Sequence, residues 1–217
     1  MNKTPVADAS VTRHGWRRLW RRLRQAERAH DGRRQVAEQL YRAVVNQARS
    51  QVWYRELGVP DTPEGRFEMV ALHAALLLRR LQREGVAGQA LGQQLFDTMF
   101  VDLDGSLREL GVSDLSLGRY VKRLAGNFYA RLAALDAGLG DAVSRPAVAG
   151  DGVAAGARKL HRMLRSNVYH DGTPSDRQLA FLARCLVEQD RALAAQDGAA
   201  VCGGTIVWVE PQFPPGT

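Results

Sequence analysis

The sequence predicts an all-α protein, an irregular bundle of about seven helices ending in an extended C-terminal tail. Three observations carry this. Apolar residues recur three and four positions apart in one window after another. Glycine and proline punctuate the windows at the places where helices stop and start. Strict apolar–polar alternation, the mark of a half-buried strand, is missing from the body of the chain. With 45% hydrophobic and 24% charged residues among 217, the composition is that of a globular protein and argues against disorder.

Taken in order, Trp16, Leu19, Trp20 and Leu23 form one apolar stripe, arginines occupy the other faces, and Gly32 is the expected stop. A second helix is expected over about 33–50, with Val36, Leu40, Val44 and Ala48 on one face, running on towards Tyr54. Thr62-Pro63 marks a new start, since threonine caps free N–H groups and proline suits the first helical position. From Phe67 to Leu81 the chain is apolar almost all round, which places that helix at the centre, with Gly85 and Gly88 as breakers.

Leu91, Leu95, Met99, Leu103 and Leu107 give the next stripe. Leu117, Tyr120, Leu124, Phe128, Leu132 and Leu135 give the one after it. Residues 138–152 read as the longest loop. Helices over about 153–169 and 176–195 follow, the second capped by Ser175. The Thr205–Val209 stretch reads as extended, lying in a groove or loose. The expected organisation is a basic amphipathic helix over 1–34, a helical domain over 35–200 and a tail over 201–217.

Charge is unevenly placed. The formal excess is +7, and residues 1–34 alone hold ten basic groups against three acidic ones. The rest of the chain holds equal numbers of each sign. Trp16, Arg17, Arg18, Trp20, Arg21, Arg22 and Arg24 are therefore the candidate contacts with an anionic membrane surface or with ribosomal RNA. The bland alternative is that the four apolar residues of this helix dock on the bundle.

No apolar run approaches the roughly 18–20 residues that a spanning helix needs. The start lacks the apolar stretch of a secretory signal. The expected place is the cytoplasm, peripheral on the cytoplasmic face of the inner membrane. The alternative is the mitochondrial matrix, because a basic amphipathic start also suits a presequence. Cys185 and Cys202 fit no metal or redox spacing and read as idle thiols.

Catalytic chemistry is not apparent, and neither metal nor cofactor is expected. Asp97, Asp102 and Asp104 are the most suggestive acidic group, but a calcium loop starting at 102 would need glycine at 107 and glutamate at 113, where Leu107 and Ser113 stand. A helical prenyl-synthase site would need two aspartate-rich motifs, and only this loose one exists. His73 stands alone in the most apolar helix without a second histidine at ligand spacing. No nucleophile elbow or phosphate loop is present.

Between Tyr54 and Asp136 the ordered motifs are specific. They are Tyr54-Arg55-Glu56-Leu57-Gly58-Val59-Pro60-Asp61-Thr62-Pro63-Glu64-Gly65-Arg66-Phe67, then Leu72-His73-Ala74-Ala75-Leu76 and Arg79-Arg80-Leu81. Leu95-Phe96-Asp97, Asp102-Leu103-Asp104 and Leu107-Arg108-Glu109-Leu110-Gly111-Val112-Ser113-Asp114-Leu115 follow, with Val121-Lys122 and Phe128-Tyr129-Ala130-Arg131 last. This stretch resembles the ubiquinol–cytochrome c chaperone family, the helical assembly factors of the ubiquinol–cytochrome c reductase complex. Ala130 and Ser113 stand where that family more often has glycine.

The resemblance implies a non-enzymatic chaperone that binds newly made cytochrome b near the ribosome. The client surface it implies is part of the 67–81 helix with His73, and the face carrying Asp97, Asp102, Asp104, Arg108 and Glu109. An RNA- or ribosome-associated helical protein without an assembly role is the alternative, and a helical isoprenoid enzyme a third reading. The oligomeric state is left open.

Overall fold

The computed structural model describes residues 31–109, 126, 128–139, 151–170 and 172–211, with only the backbone described over 151–157. The arginine-rich segment, with Trp16, Trp20 and its arginines 17 to 24, lies outside the described residues, as do the helix start near Leu117 and most of the 138–152 loop.

The described chain is helical and contains no strand, as the periodicity predicts. Its helices are α1 (31–48), α2 (Gln51–Arg55), α3 (Pro63–Gln82), α4 (Gly85–Glu109), α5 (128–139), α6 (Asp151–Asn167), α7 (Asp176–Ala195) and α8 (Gly198–Cys202). The central helix is α3, which packs on α4 and α7, while α6 packs on α7 and α4 on α8.

Helix α3 buries residues all round its circumference, including Met69, Leu72, Leu76, Leu77 and Leu81 at no exposure. Its start is fixed as expected, the Thr62 side chain accepting from the Gly65 N–H at 3.2 Å with Pro63 in the first turn. Gly65 is required there, because a Cβ would collide with the Pro60 carbonyl.

Three boundaries differ from the periodicity reading. Gly32 lies inside α1 without a positive φ; a lone glycine costs a helix only about 1 kcal/mol and ends it when φ turns positive. Helix α1 stops before α2 because two aromatic side chains take its last carbonyls. Trp53 Nε1 donates to Gln47 O at 2.7 Å and the Tyr54 hydroxyl to Ala48 O at 2.8 Å. Gly85, at φ +63°, reverses the chain alone, whereas Gly88 sits inside α4. There a Cβ would strike the Leu81 carbonyl, and Gly92 faces Leu78, so the two glycines bring α3 and α4 together as an antiparallel hairpin.

Ser175 and Gln178 form a reciprocal capping box at the start of α7. Helix α8 was not legible in the sequence, being a five-residue turn held by Asp197, which accepts from the Ala200 N–H at 2.8 Å. After it Gly204, at φ +93°, turns the chain back, and the tail runs extended along α7. Tyr169 ties the end of α6 to the loop before α3 through its hydroxyl, which donates to Leu57 O at 2.8 Å.

Candidate functional site

A groove of about 750 Å³ lies between α1, the start of α3 and the end of α4. Its apolar lining comes from Val45, Phe67, Val70, Met99, Leu103 and Leu107. Its polar lining holds Asp61, Glu64, Glu68, Asp102 and Glu109 against Arg49 and Arg66. The caps described above place these groups: Thr62 and Gly65 set where α3 begins, and the glycine-tight hairpin sets how far α4 stands from it. The walls are thus rigid helices, and the site is a preformed trough.

The charged groups on the walls are largely held. Tyr41 donates its hydroxyl to Asp102 Oδ2 at 2.7 Å, bridging α1 to α4. Burial and the Asp102 carboxylate push the Tyr41 pKa far up, so it stays a donor. Arg66 donates to Asp61 Oδ1 at 2.6 Å, and this bond lowers the Asp61 pKa. Glu68 is buried and pairs with Arg131 of α5. Burial raises the Glu68 pKa, with Arg131 pulling the other way, to about 7. Its second oxygen, Oε2, has no hydrogen-bond partner among the described residues. Keeping such an atom dry costs on the order of 1–3 kcal/mol.

The residues singled out from sequence divide into three groups. Asp102 and Glu109 line the groove. Asp97, Asp104 and Arg108 do not: Asp97 accepts from Gln93 Nε2 at 2.8 Å, and Asp104 pairs with Arg108 at 2.9 Å one turn on. Positions 102 and 104 lie about 200° apart around a helix, so these aspartates cannot converge. No cluster of three potential metal ligands occurs among the described residues.

His73 is placed elsewhere again. It is fully buried, its Nδ1 donating to Met69 O at 2.7 Å. Its ring lies 5.4 Å from that of Trp53 and 5.3 Å from that of Trp208. Burial lowers its pKa to about 4, so the imidazole is neutral and belongs to the core under the tail. An apolar helix gave no sign of which face would be covered by a segment 135 positions later.

The sequence reading did not single out Tyr41 or Glu68 as wall residues. Glu68 carried a signal, a lone carboxylate in an apolar helix, which has to find a cation such as Arg131. It also missed how the tail is held. Gln189 and Gln196 stand two turns apart on one face of α7. Each amide donates to and accepts from the tail backbone, at Val209 (2.6 and 2.9 Å) and Val207 (2.7 and 2.9 Å). Both cysteines are free, and burial raises the Cys185 thiol to about 12, which leaves it unreactive. No helix among the described residues is long and apolar enough to cross a membrane.

With this geometry in hand, the likeness to known proteins is informative. The chain is 22% identical over 174 residues to ubiquinol–cytochrome-c reductase complex assembly factor 1 of Xenopus laevis, covering 80% of each chain. The assembly factor 1 of Mus musculus is 25% identical over 104 residues, which span 48% of this chain and 35% of the mouse protein. Among solved structures, the Cbp3 homolog from Brucella abortus superposes with a TM-score of 0.71 at 30% identity, over 88% of this chain and 97% of that one. The sequence model of the ubiquinol–cytochrome c chaperone family matches residues 55–208. That span takes in the groove walls of α3 and α4, the core histidine and the tail as far as Trp208, and the chain belongs to this family of reductase assembly chaperones.

Proposed function

We propose that this chain binds newly made cytochrome b in the α1–α3–α4 groove while the ubiquinol–cytochrome c reductase complex is assembled, and that it transforms nothing. The observation that carries the reading is the groove itself, a preformed trough with six apolar side chains on its walls. A chaperone for a membrane-protein client needs such a surface, because an apolar helix outside the bilayer has to cover its side chains or aggregate. Asp102 and Glu109 belong to this surface, and Asp97, Asp104 and Arg108 flank it on α4. His73, buried under the tail between Trp53 and Trp208, stays apart from the client.

The test is co-purification of cytochrome b from native membranes with the full-length chain. Val45→Arg plugs the groove from a half-buried position on α1. It should leave the melting temperature near that of the unmodified chain and abolish co-purification. Charge reversal of the exposed Asp104–Arg108 pair should likewise spare stability, and it should weaken capture. Undiminished capture by both variants would refute the groove as the client site.

The positive excess on residues 1–34 favours a second, separate role: holding the chain at an anionic surface, at the bilayer through Trp16 and Trp20 or at ribosomal RNA through Arg17, Arg18, Arg21, Arg22 and Arg24. Flotation with anionic liposomes that falls on Trp→Ala changes supports the bilayer. Salt-sensitive RNA binding lost on Arg→Ala changes supports the ribosome. On either account the chain works at the cytoplasmic face of the inner membrane, or at the matrix face if it is mitochondrial.

A further inference from the structure

The groove walls are not neutral in what they ask of an occupant. Among the described lining residues five are carboxylates and two are guanidiniums. One of the five, Glu68, is neutralised by Arg131, which leaves Asp61, Glu64, Asp102 and Glu109 facing Arg49 and Arg66. The rim is therefore acidic by two charges, although the chain as a whole is basic by seven.

We infer that the groove selects an apolar helix with lysine or arginine at its ends, the apolar face covering the apolar walls and the cationic end meeting the acidic rim. This inference rests on the groove being the client site, and it adds which segment of a client enters first. The volume limits the choice. At about 750 Å³ the trough takes the side chains of a few helical turns and no more. Recognition then falls on one end of an apolar segment, where basic flanking residues stand. An acidic flank would be repelled by the rim.

The experiment uses the full-length chain and labelled synthetic helices of about 18 leucine and alanine residues. One carries two lysines at each end and the other two glutamates at each end. Binding is read by fluorescence anisotropy at near-physiological salt. The lysine-flanked helix should bind at least about tenfold more tightly than the glutamate-flanked one. Glu64→Lys with Glu109→Lys, both exposed, should reduce that preference to less than about threefold.

Equal binding of the lysine and glutamate helices overturns the inference and leaves the groove reading standing. Binding of neither, or binding undiminished in Val45→Arg, overturns the groove reading itself.

Discussion

The two halves of α3 meet their surroundings in opposite ways. The C-terminal half is sealed by polar latches. Arg79 pairs with Asp136 of α5 and, at 3.1 Å, with Asp190 of α7. Arg80 caps the end of α7, donating at 2.8 Å to the carbonyls of both Leu193 and Gln196, and also pairs with Glu84. The N-terminal half instead turns Phe67 and Val70 into a trough, where the polar contacts tie wall to wall and none among the described residues closes the top. Burying apolar surface gives cohesion at both ends, but only directional bonds decide which surface stays shut. The contrast separates a stability end from a binding end on one helix.

The largest effect should come from the latch at Arg80. Its guanidinium is 6% exposed and satisfies two carbonyls at the negative end of α7. Arg80→Met keeps the apolar stem and removes every donor, leaving both carbonyls and Glu84 without this partner. The expected cost is about 3 kcal/mol, read by urea denaturation. Val45→Arg, at the open end, should cost less than about 1 kcal/mol. Comparable losses in the two variants would dissolve the distinction between the halves.

The next effect tests the middle of α3 through pH. His73 titrates near 4 when folded, against an ordinary value of 6.5. Below pH 6.5 the unfolded chain takes up a proton that the folded chain refuses, so His73 removes stability as pH falls from 6.5 to 4. Glu68 acts the other way. Its folded pKa of about 7 lies above the ordinary 4.5, so the folded state holds the extra proton and gains stability as pH falls through that window. The two oppose each other in the unmodified chain, and a variant is needed to separate them. His73→Phe keeps a ring between Trp53 and Trp208, and its stability relative to the unmodified chain should rise by about 2 kcal/mol from pH 7 to pH 5. Parallel pH profiles would mean that His73 is not held neutral in the core.

What could be read from the sequence follows from the range of each interaction. The α3 start was legible because Thr62, Pro63 and Gly65 act within three residues of one another. Its central position was legible because a helix that is apolar all round has only one place to go. Asp102 and Glu109 could be placed on a polar face of α4, but their groove needed Tyr41 and Phe67, brought from separate helices. The burial of His73 depends on Trp208, which no local pattern connects to it. Gly32 and Gly88 misled because local sequence does not reveal a glycine's φ: neither turns positive, so neither ends its helix, and Gly88 instead packs on the Leu81 carbonyl while Gly32 meets nothing.

The smallest effect belongs to the tail, the latch that closes the sealed half from outside. Residues 205–209 are extended yet pair with no strand among the described residues. The Gln189 and Gln196 amides replace one, each giving and taking one bond at alternate tail residues, while Gln47 donates to Val209 O at 3.3 Å. A side-chain amide can do this because it presents a donor and an acceptor side by side, as a peptide group does. With net values near 1 kcal/mol per bond before the chain end regains its freedom, Gln189→Ala with Gln196→Ala should lower global stability by only about 1 kcal/mol. Locally the change should be larger: amide exchange at Val207 and Val209 should accelerate by at least tenfold while exchange in α3 stays as it was. Should α3 exchange faster as well, the tail would be holding the core together, and sealing at this end would be a cooperative property of the bundle.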